Sequence, residues 1–281
     1  MKVTVFGATG LLGKALMHEW RDDAVTGLSS REGDIRDANR VQQVVRDTRP
    51  DCIVLAAAYT DVDGCETKPE HAFAVNRDGA VNVAKAAKQH GARLLFISTD
   101  YVFDGAKRTP YEVGDTRNPQ SVYGKTKAEA ESKLLQIIPE CCIARTSWLF
   151  GCGGKCFPDT ILKLAASRPS LDVVNDQRGC PTYTVDLARA TIRLCHGNAT
   201  GIVHVTNSGD CTWFEFAQEI LRSAGLKTPV HPVSSAQMKR PAPRPAYSVL
   251  SAASLLAAGI EMPAWQDALR RYLDQRREAA C

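Results

Sequence analysis

The 281-residue sequence has no apolar run approaching the ~18 residues that a membrane-spanning helix needs. It also lacks the beginning of a signal peptide, because the first residues pass directly into a short apolar stretch followed by glycines. We therefore expect a cytoplasmic protein that does not insert into a membrane.

A strong charge bias is missing as well. The formal net charge of +4 comes from 35 basic and 31 acidic residues, which are interspersed except for four arginines near the C-terminus. We interpret these arginines as the solvated face of a last helix: Arg270, Arg271, Arg276 and Arg277. Without a basic stripe or a known nucleic-acid motif, we expect no nucleic-acid partner.

The ten cysteines show no metal-binding or disulfide pattern. There is no CxxC pair and no HxxxH pair, and the closest approach to a metal pair, Cys152 and Cys156, has the wrong spacing. We predict reduced thiols and no metal site.

What the sequence does have is a regular alternation of β-branched apolar runs with longer segments of helical periodicity, which is typical of βαβ units around a parallel sheet. The predicted strands are Val3–Phe6, Ala24–Leu28, Cys52–Ala57, Arg93–Ser98, Cys142–Thr146, Leu171–Val174 and Ile202–Val205. The predicted helices are Leu11–Trp20, Asp37–Asp47, Pro69–His90, Val122–Gln136, Pro158–Ala166, Val185–Cys195 and Trp213–Ala224. Gly91 as a helix stop and a capping box from Thr212 to Glu215 support two of these boundaries.

The alternation fades after residue 207, and the run KRPAPRP (239–245) predicts an irregular loop. We expect an α/β protein with a Rossmann-type parallel sheet, helices on both faces and a smaller C-terminal lobe that binds substrate. Residues 1–150 would form the dinucleotide-binding domain, 170–206 would return to its sheet, and 151–169 with 207–281 would form the smaller lobe.

A glycine-rich turn, GATGLLG (7–13), connects the first predicted strand to an amphipathic helix. Glycines at such a turn let a pyrophosphate approach backbone N–H groups, and the helix N-terminus favours the anion. The spacing GxxGxxG differs from GxGxxG, and a purely structural turn is the alternative. We predict that Gly7 and Gly10 bind a dinucleotide cofactor.

No acidic residue stands at the end of the second strand, near Leu28, where many NAD-preferring folds place one for the ribose 2′-hydroxyl. Ser29, Ser30 and Arg31 follow it instead. Ser30 and Arg31 are candidates to hold a 2′-phosphate, which favours NADPH over NADH, although Arg31 could also be a solvated loop residue. Asp34 and Ile35 come next and would border the adenine.

Tyr123 and Lys127 form a YxxxK pair at the start of a predicted helix. The four-residue spacing places the phenol and the ammonium on one helical face. Reduction of a carbonyl needs a proton donor for the developing alkoxide, and a nearby cation makes tyrosine a better acid. Thr99, at the end of the fourth strand, supplies a hydroxyl that could hold the carbonyl. The three residues are predicted to be catalytic.

The glycine turn, the strand-end hydroxyl and YxxxK follow one another as in extended short-chain dehydrogenases/reductases, and the sequence resembles that superfamily. A narrower resemblance, to the dTDP-4-dehydrorhamnose reductases, extends over most of the chain. It rests on these blocks: AAAYTDVDGCE (56–66), FAVN (73–76), STDYVFDG (98–105), PYE (110–112), NPQSVYGKTKAEAE (118–131), RTSWLFG (145–151), DQRGCPTYTVDLA (176–188) and RPAYSVL (244–250).

The resemblance implies a set of cofactor-facing residues: Gly10, Leu11, Leu12, Asp34, Ile35, Ala58, Tyr59, Thr60 and Lys127. It implies that Tyr123 donates the proton, that Thr99 and Asp100 touch the sugar, and that Trp148 packs on the sugar ring. Trp148 as a core residue and Asp100 as a loop anchor are the alternatives. Arg244, in the proline-rich loop, is a candidate partner for the nucleotide diphosphate.

The implied reaction is reduction of the C4 keto group of dTDP-4-dehydro-L-rhamnose by NADPH, with NADH as the alternative cofactor. A dehydratase or epimerase of the same superfamily is one alternative, although dehydratases typically place an Asp-Glu pair after the strand-end threonine and this chain has Asp100-Tyr101. A non-catalytic regulatory subunit that retains the cofactor pocket is the other.

Two positions depart from the family pattern. Cys156 stands where members often carry asparagine, which could alter a loop hydrogen bond near the substrate. Some relatives dimerise through magnesium using an acidic residue on the first helix, and Ala15 occupies that position. We predict no metal and a monomer or homodimer.

Overall fold

Six parallel strands form the central sheet of the protein. The structure is a computed structural model that describes residues 1–278. The strands, numbered along the chain, are β1 (Lys2–Phe6), β2 (Ala24–Leu28), β3 (Cys52–Leu55), β4 (Arg93–Thr99), β5 (Cys142–Thr146), β6 (Leu149–Phe150), β7 (Leu171–Val174), β8 (Arg178–Gly179), β9 (Thr182–Tyr183), β10 (Gly201–His204), β11 (Cys211–Thr212) and β12 (Val230–Val233). The central sheet has the order β10, β5, β4, β3, β1, β2. Strand β2 lies on one side of β1, and β3 with the strands that follow it lies on the other. Because the strand order reverses at this point, a crevice for ligands is expected at the carboxyl ends of β1 and β3.

Helices cover both faces of this sheet. They are α1 (Leu11–Glu19), α2 (Ala38–Thr48), α3 (Val62–Thr67), α4 (Pro69–Phe73), α5 (Ala80–His90), α6 (Val122–Ile137), α7 (Phe157–Ala165), α8 (Thr184–His196), α9 (Trp213–Ser223), α10 (Ser235–Met238), α11 (Ala253–Ala257) and α12 (Trp265–Glu278). Residues of α1 and α8 pack with the sheet in one apolar cluster, and residues of α2, α5 and α6 pack in a second. The predicted Rossmann-type α/β architecture is confirmed.

A third apolar cluster lies outside the sheet. It joins α7, α9 and α12 with β7 and includes the fully buried Phe150, Phe216 and Tyr272. The prediction that residues 170–206 return to the central sheet is wrong for Leu171–Val174, which pairs with β12, and correct for β10, which lies beside β5. Strand β7 follows α7 directly, and its apolar residues complete the third cluster rather than the sheet.

The segment Pro69–His90 is not the single α-helix that its periodicity predicts. It consists of α4, a π-helical turn over Ala74–Gly79, and α5. The two predicted caps are confirmed, since Gly91 ends α5 with a φ of 68° and Thr212 forms a capping box with Glu215. Along residues 1–278 no helix combines the length and the apolar composition that crossing a membrane requires.

Candidate active site

The glycine turn brings the N-terminus of α1 close to the end of β3. Gly7 has a φ of 91°, and a Cβ there would lie 2.6 Å from the backbone nitrogen of Ala57. A Cβ on Gly13 would lie 2.0 Å from the carbonyl oxygen of Gly7, so only glycine lets the helix pack this closely. Gly10 is the N-cap of α1, and no side chain caps the helix. The first N–H groups of α1 are therefore positioned to receive an anionic ligand.

Tyr123 lies on the first turn of α6 and reaches the carboxyl end of β4. Its phenol lies near the hydroxyl of Thr99, and the ring of Tyr101 packs edge-on against the ring of Tyr123 with 5.6 Å between centroids. Burial raises the pKa of Tyr123 well above its ordinary value, whereas the nearby hydroxyl of Thr99 acts to lower it. The two residues predicted to be catalytic thus lie at the same end of the sheet, and their roles stay predictions.

Lys127 is almost completely buried, with 2% of its surface exposed. Its ammonium donates a hydrogen bond to the carbonyl oxygen of Ile97 (2.7 Å) and lies 3.8 Å from the centre of the Phe96 ring. Burial lowers the pKa of Lys127 to about 7, although the carboxylate of Glu131, one turn further along α6, acts to raise it.

Asp100 begins a 3₁₀ turn directly after Thr99 and is buried. The hydroxyl of Thr99 donates a hydrogen bond to Asp100 Oδ1 (2.9 Å) and accepts one from the backbone N–H of Tyr101 (3.2 Å). Burial raises the pKa of Asp100 to about 6, while the hydrogen bond from Thr99 and the nearby hydroxyl of Ser248 act to lower it. Thr99 therefore holds the buried carboxyl at the same strand end that Tyr123 reaches.

A cavity of about 410 Å³, which we call the catalytic cavity, lies at the carboxyl ends of the strands. Many of the predicted site residues line it: Gly10, Leu11, Leu12, Ala58, Thr60, Thr99, Asp100, Tyr123, Lys127 and Trp148. Residues predicted from separate parts of the chain thus share one cavity, as a reaction between a cofactor and a substrate requires.

Other predicted cofactor residues lie outside this cavity. Ser30 and Arg31 follow β2 at the surface, and the guanidinium of Arg31 has no hydrogen bond or ion pair to residues 1–278. The carboxylate of Asp34 pairs with Arg36, which lowers its pKa. Ile35 is buried in the cluster beneath α5, and its side chain packs against Gly79.

Tyr59 is held through its backbone rather than its ring. The side chain of Asn76, in the π-helical turn, accepts a hydrogen bond from Tyr59 N (2.7 Å) and donates one to Tyr59 O (3.0 Å). The amide of Asn76 also contacts the hydroxyl of Thr126 (3.1 Å) on α6. Asn76 therefore fixes the backbone between Ala58 and Thr60, two residues that line the catalytic cavity.

A second cavity of about 450 Å³ lies next to the first, and Tyr101 and Trp213 line both. We call it the arginine cavity because Arg240 and Arg244 are in its wall. Arg244 forms a two-pronged ion pair with Asp63 on α3 (3.0 and 2.9 Å), and the pKa of that carboxyl is lowered to about 2. Arg244, the predicted partner of the diphosphate, thus lines a cavity while its guanidinium is paired with the carboxylate of Asp63.

Trp148 lines the catalytic cavity but lies flat against a second indole. Its ring is 3.5 Å from that of Trp213, with an angle of 6° between the planes. The backbone of Trp148 has a φ of 47°, in the left-handed region that non-glycine residues seldom adopt. Its predicted contact with the sugar stays a prediction.

Sequence reasoning missed Thr146 and Trp213. Thr146 ends β5 directly beside Thr99 in the parallel ladder, and its buried hydroxyl has no hydrogen-bond partner within residues 1–278. The sequence contained a signal for Thr146, because both Thr99 and Thr146 were predicted at the carboxyl ends of strands. Trp213 is the first residue of a correctly predicted helix, and nothing in its local sequence indicates that it reaches Trp148.

Cys156, one of the two departures from the family pattern, lines neither cavity. It is buried at the N-cap of α7, where its thiol contacts Asp159 Oδ2 (3.4 Å) and the hydroxyl of Tyr272 (3.6 Å). We expected Cys156 to alter a loop hydrogen bond near the substrate. In the structure its thiol instead makes contacts within the third apolar cluster. Within residues 1–278, no group of three or more His, Cys, Asp or Glu side chains is arranged to hold a metal ion.

Comparison with known proteins places this geometry in a family. The sequence model of the RmlD substrate binding domain matches residues 1–278. The spore coat polysaccharide biosynthesis protein SpsK of Bacillus subtilis (strain 168) is 42% identical over 100% of this chain and 99% of its own. The dTDP-4-dehydrorhamnose reductase of Mycobacterium tuberculosis (strain CDC 1551 / Oshkosh) is 39% identical over 97% of this chain and 92% of its own.

A solved structure agrees with these sequence matches. The dTDP-4-dehydrorhamnose reductase of Bacillus anthracis (strain Ames), crystallised in complex with NADP, superimposes with a TM-score of 0.95 at 38% identity, covering 98% of this chain and 100% of that one. The chain therefore belongs to the dTDP-4-dehydrorhamnose reductase family, a group of NAD(P)H-dependent enzymes within the extended short-chain dehydrogenases/reductases.

Proposed function

We propose that the protein reduces the C4 keto group of dTDP-4-dehydro-L-rhamnose to give dTDP-L-rhamnose, with NADPH or NADH as the hydride source and Tyr123 as the proton donor. The observation that carries this proposal is the convergence of Thr99, Tyr123 and Lys127 in one cavity with the N-terminus of α1. A hydride donor, a carbonyl and a proton donor need to meet within such a space.

The residues present fit a dinucleotide. Gly10 at the N-terminus of α1 and Gly13 line the catalytic cavity, and Gly7 permits the close approach of backbone beside them. The hydroxyl of Thr146, which has no partner among residues 1–278, lines the same cavity, where the pyrophosphate and nicotinamide would be held. When bound, the cofactor supplies the hydride. The protein would bind its phosphates at α1 and its ribose near Lys127.

The remaining chemistry belongs to side chains of this chain. The hydroxyl of Thr99 would turn from Asp100 Oδ1 to donate its hydrogen bond to the sugar oxygen, and Tyr123 would donate the proton from its phenol to that oxygen. Lys127, fixed by Ile97 O, would supply a positive charge that makes the phenol a stronger acid. The arginine cavity would receive the nucleotide part of the substrate, with Arg244 and Arg240 near its phosphates.

The direct test follows NADPH and NADH absorbance with dTDP-4-dehydro-L-rhamnose and with other 4-keto sugar nucleotides. We expect oxidation of the cofactor with the first substrate, and absence of oxidation with every substrate would overturn the proposal. Tyr123→Phe should lower kcat by roughly two to four orders of magnitude, the usual size of a general-acid contribution. A variant with a near-wild-type rate would exclude the role proposed for Tyr123.

Cofactor preference can be tested separately at Arg31. Because its guanidinium is free of partners within the described chain, it can pair with a 2′-phosphate without breaking a protein contact. Arg31→Ala should raise KM for NADPH and leave KM for NADH unchanged. An equal effect on both cofactors would remove Arg31 from the proposed 2′-phosphate site.

A further inference from the structure

Glu131 lies on α6, one helical turn beyond Lys127, and is completely buried. Tyr123, Lys127 and Glu131 follow one another at intervals of four residues, so their side chains share one face of the helix. The first two line the catalytic cavity, whereas Glu131 does not. An effect of this carboxylate on the reaction must therefore pass through its neighbours.

Four hydrogen bonds hold the carboxylate of Glu131. Arg145 donates from Nε to Oε1 (2.9 Å) and from Nη2 to Oε2 (2.7 Å), in a two-pronged pair. Arg117 Nη1 donates to Oε2 (3.1 Å), and the hydroxyl of Ser98 donates to Oε1 (2.6 Å). Arg145 is itself buried, and its guanidinium carbon lies 5.0 Å from the centre of the Phe103 ring. These contacts hold the carboxylate in one position.

Ser98 connects this carboxylate to the hydrogen-bond partner of Lys127. The peptide group that joins Ile97 to Ser98 contains the carbonyl oxygen to which the ammonium donates (2.7 Å). The hydroxyl of Ser98 itself is bound to Glu131. Thr99 is the next residue of β4. Glu131 therefore fixes the strand end that holds the ammonium and carries the hydroxyl of Thr99.

The charge of Lys127 has few partners around it. From β4, the ammonium meets the carbonyl oxygen of Ile97 and the ring of Phe96. Along α6, Tyr123 lies one turn before it and Glu131 one turn after it. Among residues 1–278, the carboxylate of Glu131 is the charge that acts to raise the pKa of Lys127 against the effect of burial. Because both groups are buried, water and salt screen this attraction less than they would at the surface.

Two arginines offset part of the carboxylate charge. Arg145 faces Glu131 from β5, and Arg117 faces it from the loop before α6. His204 faces Arg145 from β10 (3.4 Å), but burial lowers the pKa of His204 to about 3, so this imidazole stays neutral. The electrostatic field at the ammonium therefore depends on the balance between one carboxylate and two guanidinium groups.

We propose that Glu131 is a positioning residue, which keeps the ammonium of Lys127 in place and charged beside Tyr123. This inference rests on the proposed function, which gives Lys127 and Tyr123 their roles. Loss of the Glu131 charge removes an attraction for the ammonium. Loss of the Arg117 charge removes a repulsion. The two changes should therefore move the titration of Lys127 in opposite directions.

The test measures kcat/KM for NADPH against pH in the wild type, Glu131→Gln and Arg117→Gln. The decline expected above about pH 7 in the wild type should begin about one pH unit lower in Glu131→Gln, because the carboxamide has a similar shape and no charge. In Arg117→Gln the decline should begin about half a unit higher, a smaller shift because Arg117 is partly exposed and screened. Side chains with only a structural role would change kcat or stability without these opposite shifts.

Glu129→Gln is the matched control, because it makes the same chemical change two residues away on α6. Glu129 pairs with Arg77, in the π-helical turn, and 49% of its side-chain surface is exposed. The pH profile of this variant should match that of the wild type.

Loss of the Glu131 charge leaves Arg145 buried without a carboxylate, which can prevent folding. In that case Arg117→Gln carries the test, and Glu131→Asp, which keeps the charge, should fold and decline at the wild-type pH. The inference is wrong if the decline in Arg117→Gln begins at the wild-type pH or lower, or if a folded Glu131→Gln shows no downward shift. A wild type that oxidises neither cofactor with any 4-keto sugar nucleotide would instead overturn the proposed function.

Discussion

The ammonium of Lys127 lies 2.7 Å from the carbonyl oxygen of Ile97, inside the end of strand β4. One hydrogen bond to a neutral carbonyl does not replace the water that the charge loses on burial, so the pKa of Lys127 falls to about 7. In the protein without ligands, the charge that Tyr123 needs is therefore present only at neutral and acidic pH.

The first prediction concerns pH dependence. The protonated lysine is the active form, so kcat/KM for NADPH, which reports groups of the free enzyme, should fall as pH rises above about 7. In Lys127→Arg the guanidinium stays charged, and the remaining activity should lose this decline. A wild-type profile that is flat to pH 9 would show that Lys127 does not control the rate.

A second prediction separates binding from stability at Thr146. Its buried hydroxyl has no partner within residues 1–278, so Thr146→Val removes a polar group that already lacks a hydrogen bond. We expect the thermal midpoint to stay the same or rise, while KM for the cofactor or the sugar nucleotide rises. Thr191→Val is the control, because Thr191 donates a hydrogen bond to Leu187 O (2.8 Å) and its loss should lower stability without changing KM. Unchanged kinetics for Thr146→Val would remove this residue from the site.

The third prediction concerns the contact of Gly179 with Trp148. A Cβ 2.6 Å from the indole must push the ring aside, so Gly179→Ala should destabilise the protein by about 1–3 kcal/mol, the usual cost of overpacking. Gly114→Ala is a matched control, since a Cβ there meets no atom within 4 Å. Chemical denaturation of the two variants gives the comparison, and equal free energies of unfolding would contradict the close packing.

A fourth prediction follows from the raised pKa of Asp100. This pKa is about 6 in the folded protein and near 3.8 in the unfolded chain. Between pH 3.8 and pH 6 the folded protein therefore holds a proton on Asp100 that the unfolded chain has lost. Stability from Asp100 is present below about pH 4 and is lost as pH rises through 6, by an amount on the order of 3 kcal/mol. The thermal midpoint of Asp100→Asn should therefore rise relative to that of the wild type as the pH increases from about 4 to about 7. A difference that does not vary with pH would show that the carboxyl titrates normally.

The sequence predicts the parts of the site that depend on local pattern. Strand ends, the glycine turn and the Tyr123–Lys127 spacing follow from periodicity and turn chemistry, and their meeting in one cavity follows from the parallel sheet. The pairing of Leu171–Val174 with β12 does not follow from periodicity, because an apolar strand has the same pattern in the central sheet and in a two-stranded sheet. The stacking of Trp148 on Trp213 depends on how two distant segments pack, which local sequence does not encode.

The π-helical turn over Ala74–Gly79 has a consequence for the spacing of the chain. A π-helix accommodates one more residue per turn than an α-helix, and such turns are often found at functional sites. Deleting one residue there would leave α4 and α5 as a continuous, better-formed α-helix. It would also rotate Asn76 by about 100° relative to one end, away from the backbone of Tyr59. The π-helical turn therefore directs the amide of Asn76 at the loop beside the catalytic cavity.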